Sequence, residues 1–216
     1  MKVVVVTDWI SEKMGYSENA LPKALAKAGA EVHVVSSDLQ PDFPNYKEAY
    51  ESFIGPRIQP TGEKHLHGFT LHRLQHTSES HGIRIRGFHR ALAEIRPDIV
   101  QGFTIPTWTT YQSALSKLRL GFKFFLEEHT HASIFKLSLK GKIFFSVFPH
   151  TVGKLVSAVS ERCYAIAPDV AEIAADYFGY SRKKIRICSL GVDTDLFTPA
   201  KTRQQIDERH ALRSSL

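Results

Sequence analysis

The sequence has little cysteine and no long apolar run. Only Cys163 and Cys188 occur among its 216 residues, so a disulfide scaffold is not predicted and a reducing cytoplasm is the expected location. No stretch of about 20 uncharged apolar residues is present, which predicts the absence of a membrane-spanning helix. The valine run at positions 3–6 is too short for a signal peptide and indicates a buried first strand.

Several common motifs of α/β enzymes are also missing. No two of the 13 glycines are separated by one residue, so the dinucleotide-binding pattern G-x-G-x-x-G cannot be placed. Gly141-Lys142 lacks the earlier glycine of a phosphate loop, and neither a G-x-S-x-G nucleophile elbow nor a C-x-x-C pair occurs. These absences argue against dinucleotide-binding enzymes, phosphate-loop proteins and α/β hydrolases, and also against thiol redox sites and zinc knuckles.

The composition is that of a chain with one sizeable buried core. It is 43% hydrophobic and 23% charged, with a formal net charge of +6. This mild positive charge permits phosphorylated substrates, acidic lipid or nucleic acid as partners, but it selects none of them, and no nucleic-acid partner is predicted.

Strand patterns alternate with helical patterns along the chain. Seven strands are predicted, at residues 3–6, 31–36, 68–74, 98–101, 122–126, 163–167 and 184–189. Amphipathic helices are predicted between them, including one with Ile85, Phe88, Leu92 and Ile95 on one face and two pieces within 131–155 broken near Pro149. Residues 38–64 predict a long loop with a short helix near 46–53. The order indicates α/β: a single doubly wound parallel-sheet Rossmann-like domain.

Ligands of such sheets bind outside the carboxyl ends of the strands. The segments to inspect are therefore residues 8–17, 101–107 and 127–131, together with Pro168. In the first of these turns, Gly15-Tyr16-Ser17-Glu18 precedes a helix. Gly15 would allow close backbone approach, and Ser17 as N-cap would leave helix amides for an anion or a sugar hydroxyl. An ordinary capped turn is the alternative.

The segment Glu127-Glu128-His129-Thr130-His131 follows a buried strand. Carboxylates and imidazoles favour each other's charged forms, and a histidine here could serve a hydroxyl nucleophile as hydrogen-bond donor or general base. The His-x-His spacing also allows a metal, although no third ligand is suggested by spacing. A structural role for at least one histidine is a further alternative.

Two other patterns allow a functional and a structural interpretation. Asp193-Thr194-Asp195 is a D-x-D of the kind that can hold a divalent ion, but its place after Gly191 favours a turn. Aromatic and lysine side chains crowd residues 122–154. A basic amphipathic helix of this kind could contact an anionic membrane, whereas core packing or a domain interface would account for most of the rings.

Taken together, several stretches resemble glycosyltransferase family 4 of the GT-B fold. Residues 1–37 are similar to the family's opening valine-rich strand, glycine loop and small-residue helix, which is followed by "AGAEVHVVSS". Arg96-Pro97-Asp98-Ile99-Val100 resembles its "kPDvv" strand, and Glu128-His129 falls where the family often has a histidine. The most specific match is the stretch 161–199, which leads into "GVDTDLFTP".

The resemblance implies a retaining transferase in which an N-terminal domain holds the acceptor and a C-terminal domain holds a nucleotide sugar. Residues 1–190 would be the Rossmann-like acceptor-side domain. Residues 191–216 would be a linker and the start of an interdomain segment, with the donor-binding domain absent. The family's two glutamates separated by seven residues are not found in the chain, so transfer by the chain alone is not expected.

The resemblance also implies the site. His129 would be the catalytic residue, and Gly15, Tyr16, Ser17, Glu18, Glu128 and His131 would bind substrate. Neither a metal nor another cofactor is expected. The expected partners are a sugar or lipid-linked acceptor and, only with a C-terminal domain, a nucleotide-sugar donor, with peripheral contact at the inner membrane face as a further expectation. Tyr16 departs from the paired glycines common in the family, which bears on how closely a ligand can approach.

Two alternatives to the half-enzyme interpretation remain open. The chain could be a non-catalytic Rossmann-like binding or scaffold module that pairs with a separate donor-domain chain. It could also be a competent single-domain enzyme, with His129 and His131 binding a metal.

Overall fold

The molecule is built around one eight-stranded sheet with helices on both faces. A computed structural model describes residues 1–79, 82–191, 193 and 199–214. The strands are β1 (Lys2–Val6), β2 (Glu31–Ser37), β3 (Gly62–Leu66), β4 (Phe69–Leu74), β5 (His76–Ser78), β6 (Arg84–Ile85), β7 (Ile99–Phe103), β8 (Lys123–Glu128), β9 (Arg162–Ala165) and β10 (Ile185–Ile187).

Nine α-helices occur in the described ranges. They are α1 (Ser17–Lys27), α2 (Tyr46–Ala49), α3 (Glu51–Ile54), α4 (Phe88–Ile95), α5 (Trp108–Leu120), α6 (Leu139–Val147), α7 (Val152–Val159), α8 (Pro168–Asp176) and α9 (Arg203–Ser214). Within those ranges, none of the helices is both long and apolar enough to cross a bilayer. The predicted linker at 191–199 lies mostly outside the described residues.

The strand order of the large sheet is β10-β9-β8-β7-β1-β2-β4-β3. Its strands run parallel except β3, which pairs antiparallel with β4 at one edge. The chain moves outward from β1 to β2 and β4, and then returns to β7 on the other side of β1. The order therefore reverses between β1 and β7, and their carboxyl ends form a topological switch point.

The two faces of the sheet hold separate hydrophobic clusters. Alternate residues of β1 divide between them: Val4 and Val6 pack toward α4, α5, α7 and α8, and Val5 packs toward α1. Four consecutive residues of β1 are valine because a central parallel strand is buried on both faces and therefore shows no alternation of apolar and polar residues. The predicted doubly wound α/β fold is thereby confirmed, with the seven predicted strands in a mostly parallel sheet of eight.

Two local predictions differ from the structure. The edge strand β3 was expected to be loop, because its sequence, GEKHL, is almost entirely solvent-exposed and carries no apolar alternation. Ile85 was expected on the helix with Phe88. It lies instead in β6, because Gly87 takes a left-handed conformation and α4 begins only after it.

A close backbone approach joins α7 to the end of α8. A Cβ atom on Gly153 would lie 1.9 Å from the carbonyl oxygen of Phe178, and one on Gly179 would lie 2.2 Å from that of Pro149. Only hydrogen fits at these two positions. These glycines let helix α7 sit against the chain that follows α8.

We expect Gly153→Ala to lower the free energy of unfolding by about 3 kcal/mol, since backbone must move to admit the methyl group. Chemical denaturation followed by circular dichroism measures this change. Gly141→Ala is the control: its Cβ would meet only side-chain atoms at 3.4 Å or more, and alanine favours a helix. Equal stability of the two variants would contradict the contact.

Candidate functional site

The loops that follow β1, β7 and β8 meet at the switch point. The carboxylate of Asp8, just after β1, accepts hydrogen bonds from the Thr109 hydroxyl and the Ile83 amide. Burial raises the pKa of Asp8 to about 6, against the lowering effect of these two hydrogen bonds. Asp8 is thus a carboxyl group that changes charge close to neutral pH.

The loop after β7 is held in an unusual backbone conformation. Thr104 has a φ of 60°, which is a genuine outlier for a β-branched residue. The hydroxyls of Thr107 and Thr110 both donate to the Thr104 carbonyl oxygen, at 3.1 and 2.8 Å. The amide of Thr104 donates a hydrogen bond to the carbonyl oxygen of Glu127 at 2.7 Å. Backbone strain of this kind is common at ligand-binding sites.

The loop between β1 and α1 differs in detail from its prediction. Tyr16, not Ser17, occupies the N-cap position, and no side chain caps the helix. The Ser17 hydroxyl instead donates to Glu18 at 3.3 Å. The ring of Tyr16 packs edge-on against Trp9, with centroids 5.4 Å apart. A Cβ on Gly15 would meet nothing within 4 Å, so the space beside this loop is open.

His129 lies among carboxylates at the end of β8. Its Nε2 atom is 2.8 Å from Glu127 Oε1, and its ring packs edge-on against Phe103. Burial alone would lower the pKa of His129, but the hydrogen bond and charge of Glu127, and the charges of Glu18 and Glu128, raise it above its ordinary value. Two segments predicted separately, at 15–18 and 127–131, therefore contribute to one electrostatic cluster.

Glu128 has a different position from its neighbours. It is fully buried, and its oxygens accept from the amides of Ile105, His129 and Thr130 at 2.7, 3.0 and 2.9 Å and from the Thr130 hydroxyl at 2.7 Å. Both oxygens are occupied and hidden from solvent. The expected contact between Glu128 and a substrate is therefore corrected to a supporting role beneath the site.

His131 bonds a different carboxylate from His129. Its Nδ1 is 3.0 Å from Asp169 Oδ2, and the same oxygen accepts from the Ala132 amide. The Ala132 amide, and next His131, lower the pKa of Asp169. In the described ranges no group of three or more histidine, cysteine or acidic residues is placed to hold a metal ion.

A cavity of about 470 Å³ adjoins this cluster, between α1 and the sheet. Ser17 and Glu127 are part of its wall, so it opens beside His129. The remaining lining comes from α1, from Gln101 and Tyr164 on the sheet, and from residues 188–191 and 193. A mostly apolar cleft with a few convergent polar groups is typical of a small-molecule site.

The D-x-D segment is described only at Asp193, since Thr194 and Asp195 lie outside the described residues. Asp193 forms an ion pair with Lys23 of α1, at 2.7 Å. It thereby ties the chain that leaves the sheet to the helix that borders the cavity.

The aromatic and lysine-rich region divides into buried and exposed parts. Phe135 and Phe145 are partly buried and pack edge-on or tilted against each other and against the buried Phe178, at centroid distances of 5.4 to 5.6 Å. An exposed apolar strip remains outside, which we call the α6 face, formed by Ile134, Leu139, Ile143, Phe144 and Val147. The exposed cations Lys136, Lys140 and Lys142 flank it, and the sequence has no acidic residue between His129 and Ser160.

Sequence reasoning located the edge segments but missed the roles of Asp8, Thr104 and Glu127. A lone aspartate after a strand carries no motif, and a left-handed threonine has no sequence signal. Glu127 could have been distinguished from Glu128 by strand alternation, since one faces the cavity and the other the core.

Comparison with known proteins shows a match to one protein family and similarity to several solved structures. The model of Glycosyltransferase Family 4 matches residues 20–196. A search of curated proteins gave no significant match. The structure of Anabaena HepE in complex with UDP is similar, with a TM-score of 0.56 at 12% identity, over 99% of this chain and 50% of that one.

Two further solved structures have the same fold. A glycosyltransferase from Rickettsia africae has a TM-score of 0.54 at 15% identity, over 99% of this chain and 49% of its own. An E. coli structure, trehalose-6-phosphate bound with UDP-2-fluoro glucose, has a TM-score of 0.51 at 10% identity, over 99% and 55%. The chain thus spans about half the length of the structures that it matches.

We expect Glu127→Gln to lower the pKa of His129, because the amide removes both the charge-assisted hydrogen bond and the nearest negative charge while burial persists. Titration of the imidazole by NMR measures the change. Asp169→Asn is the control, since it removes the partner of His131 and should leave His129 unchanged. An unaltered pKa of His129 in Glu127→Gln would contradict this account of the cluster.

Proposed function

The chain belongs to glycosyltransferase family 4, and from this premise we propose that it is the acceptor-side domain of a retaining glycosyltransferase. The reaction moves a sugar from a nucleotide-sugar donor to an acceptor hydroxyl. The observation that supports this proposal best is the cluster of His129, Glu127 and Glu18 beside an open cavity at the carboxyl edge of the sheet.

His129 is the proposed catalytic residue. Its raised pKa favours an imidazolium near neutral pH, and a cation or strong N–H donor here stabilises negative charge that develops on the donor phosphates. Deprotonated, the same ring accepts a hydrogen bond from an acceptor hydroxyl. Glu127 sets the balance between the two forms through its bond to Nε2.

The proposed acceptor contacts surround this histidine. Gly15 and Tyr16 border open space at the start of α1, where helix amides and hydroxyl groups can meet a sugar. Ser17 lines the cavity together with Glu127, and the charge of Glu18 acts on His129. His131, which bonds Asp169, follows His129 by two residues and is the proposed contact at that end of the site. Burial raises the pKa of Glu18, so its carboxyl group can also act as a hydrogen-bond donor as the pH falls.

We place the donor site outside this chain's own residues. Two of the similar structures hold UDP or a UDP sugar, and the chain corresponds to half of each. A second domain, in the same polypeptide or in a partner chain, would close over the cavity and supply the nucleotide-sugar contacts. The 216 residues alone would then not transfer sugar.

Calorimetric titration of the chain with a panel of nucleotide diphosphate sugars tests this assignment. We expect no saturable binding up to about 1 mM, which corresponds to a binding free energy weaker than about 4 kcal/mol. A cooperative thermal transition of the same sample is the control for folding. A dissociation constant in the low micromolar range would contradict an acceptor-side domain and require a complete donor site here.

We also propose that the α6 face rests on an anionic membrane, which suits a lipid-linked acceptor at the inner face. Leu139, Ile143 and Val147 recur every four residues and so share one side of α6. They are 76%, 63% and 57% exposed, and the neighbouring lysines complement acidic headgroups. Exposed apolar side chains ringed by cations are typical of interfacial helices.

Ile143→Glu should lower the affinity for phosphatidylglycerol vesicles, measured by cosedimentation, at least tenfold. The substitution removes apolar area and adds a negative charge that the anionic lipid repels. Leu118→Glu is the matched control, since Leu118 is 62% exposed on α5, outside the α6 face. Binding should also fall as salt is added. Equal binding of both variants, or no binding of the unaltered chain to anionic vesicles, would rule out this surface.

A further inference from the structure

Four titratable side chains form a continuous hydrogen-bonded row across three strands, away from the candidate site. Glu31 Oε1 is 3.1 Å from His33 Nε2, and His33 Nδ1 is 2.9 Å from His72 Nε2. His72 Nδ1 is in turn 3.1 Å from Glu63 Oε1. This row of side chains extends from β2 through β4 to the antiparallel edge strand β3.

The two imidazoles are sheltered and the two carboxylates are not. The side chains of His33 and His72 are 17% and 12% exposed, whereas those of Glu31 and Glu63 are 59% and 69% exposed. The rings stack at a centroid distance of 5.1 Å. Both imidazoles help to line a recess of about 660 Å³ that is open to solvent, so protons can exchange with the pair.

Four other charged or titratable groups lie around the pair, and only Lys2 contacts one of its two carboxylates. Lys2 of β1 bonds Glu31 at 3.0 Å, and His65 of β3 bonds the Thr70 hydroxyl. Glu94 of α4 pairs with Arg90, and the guanidinium of Arg73 points to the opposite face, toward Ile10 and Glu12.

The number of protons on the two imidazoles determines which of the three contacts among these four side chains can be hydrogen bonds. The three contacts need one hydrogen each, but two neutral imidazoles carry only two hydrogens on four nitrogens. One contact must then lack a hydrogen, so that either a bare nitrogen faces a carboxylate or the two imidazoles face each other with bare nitrogens. With one added proton, every contact has a donor and an acceptor. With two added protons, two N–H groups and two positive charges face each other at 2.9 Å.

We propose that His33 and His72 form a proton-binding site that holds one proton between them and resists a second. In that state the hydrogen bonds Glu31–His33–His72–Glu63 are all made, and they fasten β4 and β3 to β2. Loss of the shared proton, or gain of another, breaks one link. The edge hairpin β3–β4 is thereby sensitive to pH in both directions.

The consequence extends toward the loop after β1. Lys64 of β3 bonds Glu12 of that loop at 2.6 Å, and Arg73 of β4 lies 3.7 Å from the same carboxylate. A hairpin that loosens when the pair changes its charge also loosens these two contacts. The proton site itself stands independently of the proposed transferase function.

The direction of the pH effect follows from linkage. Burial, and then the charge of His33, lower the pKa of His72 below its ordinary value. A native pair that refuses the second proton loses stability as the pH falls from about 6.5, where unfolded histidine titrates, toward the lowered pKa of His72. The first proton completes the three contacts, so any stability that it contributes is lost when it dissociates.

Histidine NMR titration of the whole chain tests the proposal, with His33→Gln and His72→Gln assigning the signals. We expect the pair to take up its two protons in steps separated by more than about one pH unit, as strongly interacting sites do. In either variant the remaining histidine should titrate in one step. His65→Gln is the control and should leave both steps in place.

Hydrogen exchange of the β3 amides provides the second measurement. In this edge strand the amides of Lys64 and Leu66 face β4, because hydrogen-bonded pairs alternate along an antiparallel ladder. Protection of these two amides should be greatest between the two steps and fall on both sides, and His72→Gln should flatten this profile. Independent titration of both histidines with ordinary pKa values would overturn the proposal. So would β3 protection whose pH profile is the same in His72→Gln as in the unaltered chain.

Discussion

The buried carboxylate of Glu128 is the interaction on which the candidate site depends. A charge without access to water is tolerated only if its hydrogen-bonding capacity is filled. Here the donors come from the turn after β7 and from the turn after β8. One side chain thus joins two neighbouring loops at the switch point and fixes the backbone of His129, whose ring then lies among the remaining carboxylates.

The site itself is a balance between burial and charge. Burial pushes the pKa of Asp8 and Glu18 up and would push that of His129 down, yet the nearby carboxylates reverse the direction for His129. The pKa values of all three groups are therefore raised, and titratable groups shifted in this way beside an open cavity are suited to handling charge and protons. The strained Thr104 backbone, held by two threonine hydroxyls, belongs to the same edge and indicates that its shape is maintained at an energetic cost.

Two features lie apart from this edge and carry other consequences. The α6 face is apolar and cationic, and it follows directly in the chain from His131. The His33–His72 pair links β2 to the edge hairpin β3–β4, whose outer contacts reach Glu12. Membrane contact and proton binding would therefore each act on loops that border the cleft, through the chain that connects them rather than through contact with a ligand.

Local sequence was enough to determine the order and type of most elements. Buried parallel strands such as β1 and β8 are short apolar runs, and the amphipathic helices between them have a regular period, so both are visible without tertiary information. The exposed strand β3 was not, because pairing at a sheet edge requires no apolar pattern. The family resemblance placed His129 and the 15–18 loop, which the sequence alone could indicate only as segments at the carboxyl edge.

What the tertiary structure decided is which side chains meet. Strand alternation turns Glu127 to the cavity and Glu128 to the core, and the β1–β7 reversal brings Glu18 toward His129 although they are far apart in sequence. The same holds for His33 and His72, which become partners only through the register of β2 with β4. Composition and periodicity are properties of neighbouring residues, whereas pKa values and hydrogen-bond networks depend on distances that exist only once the sheet has formed.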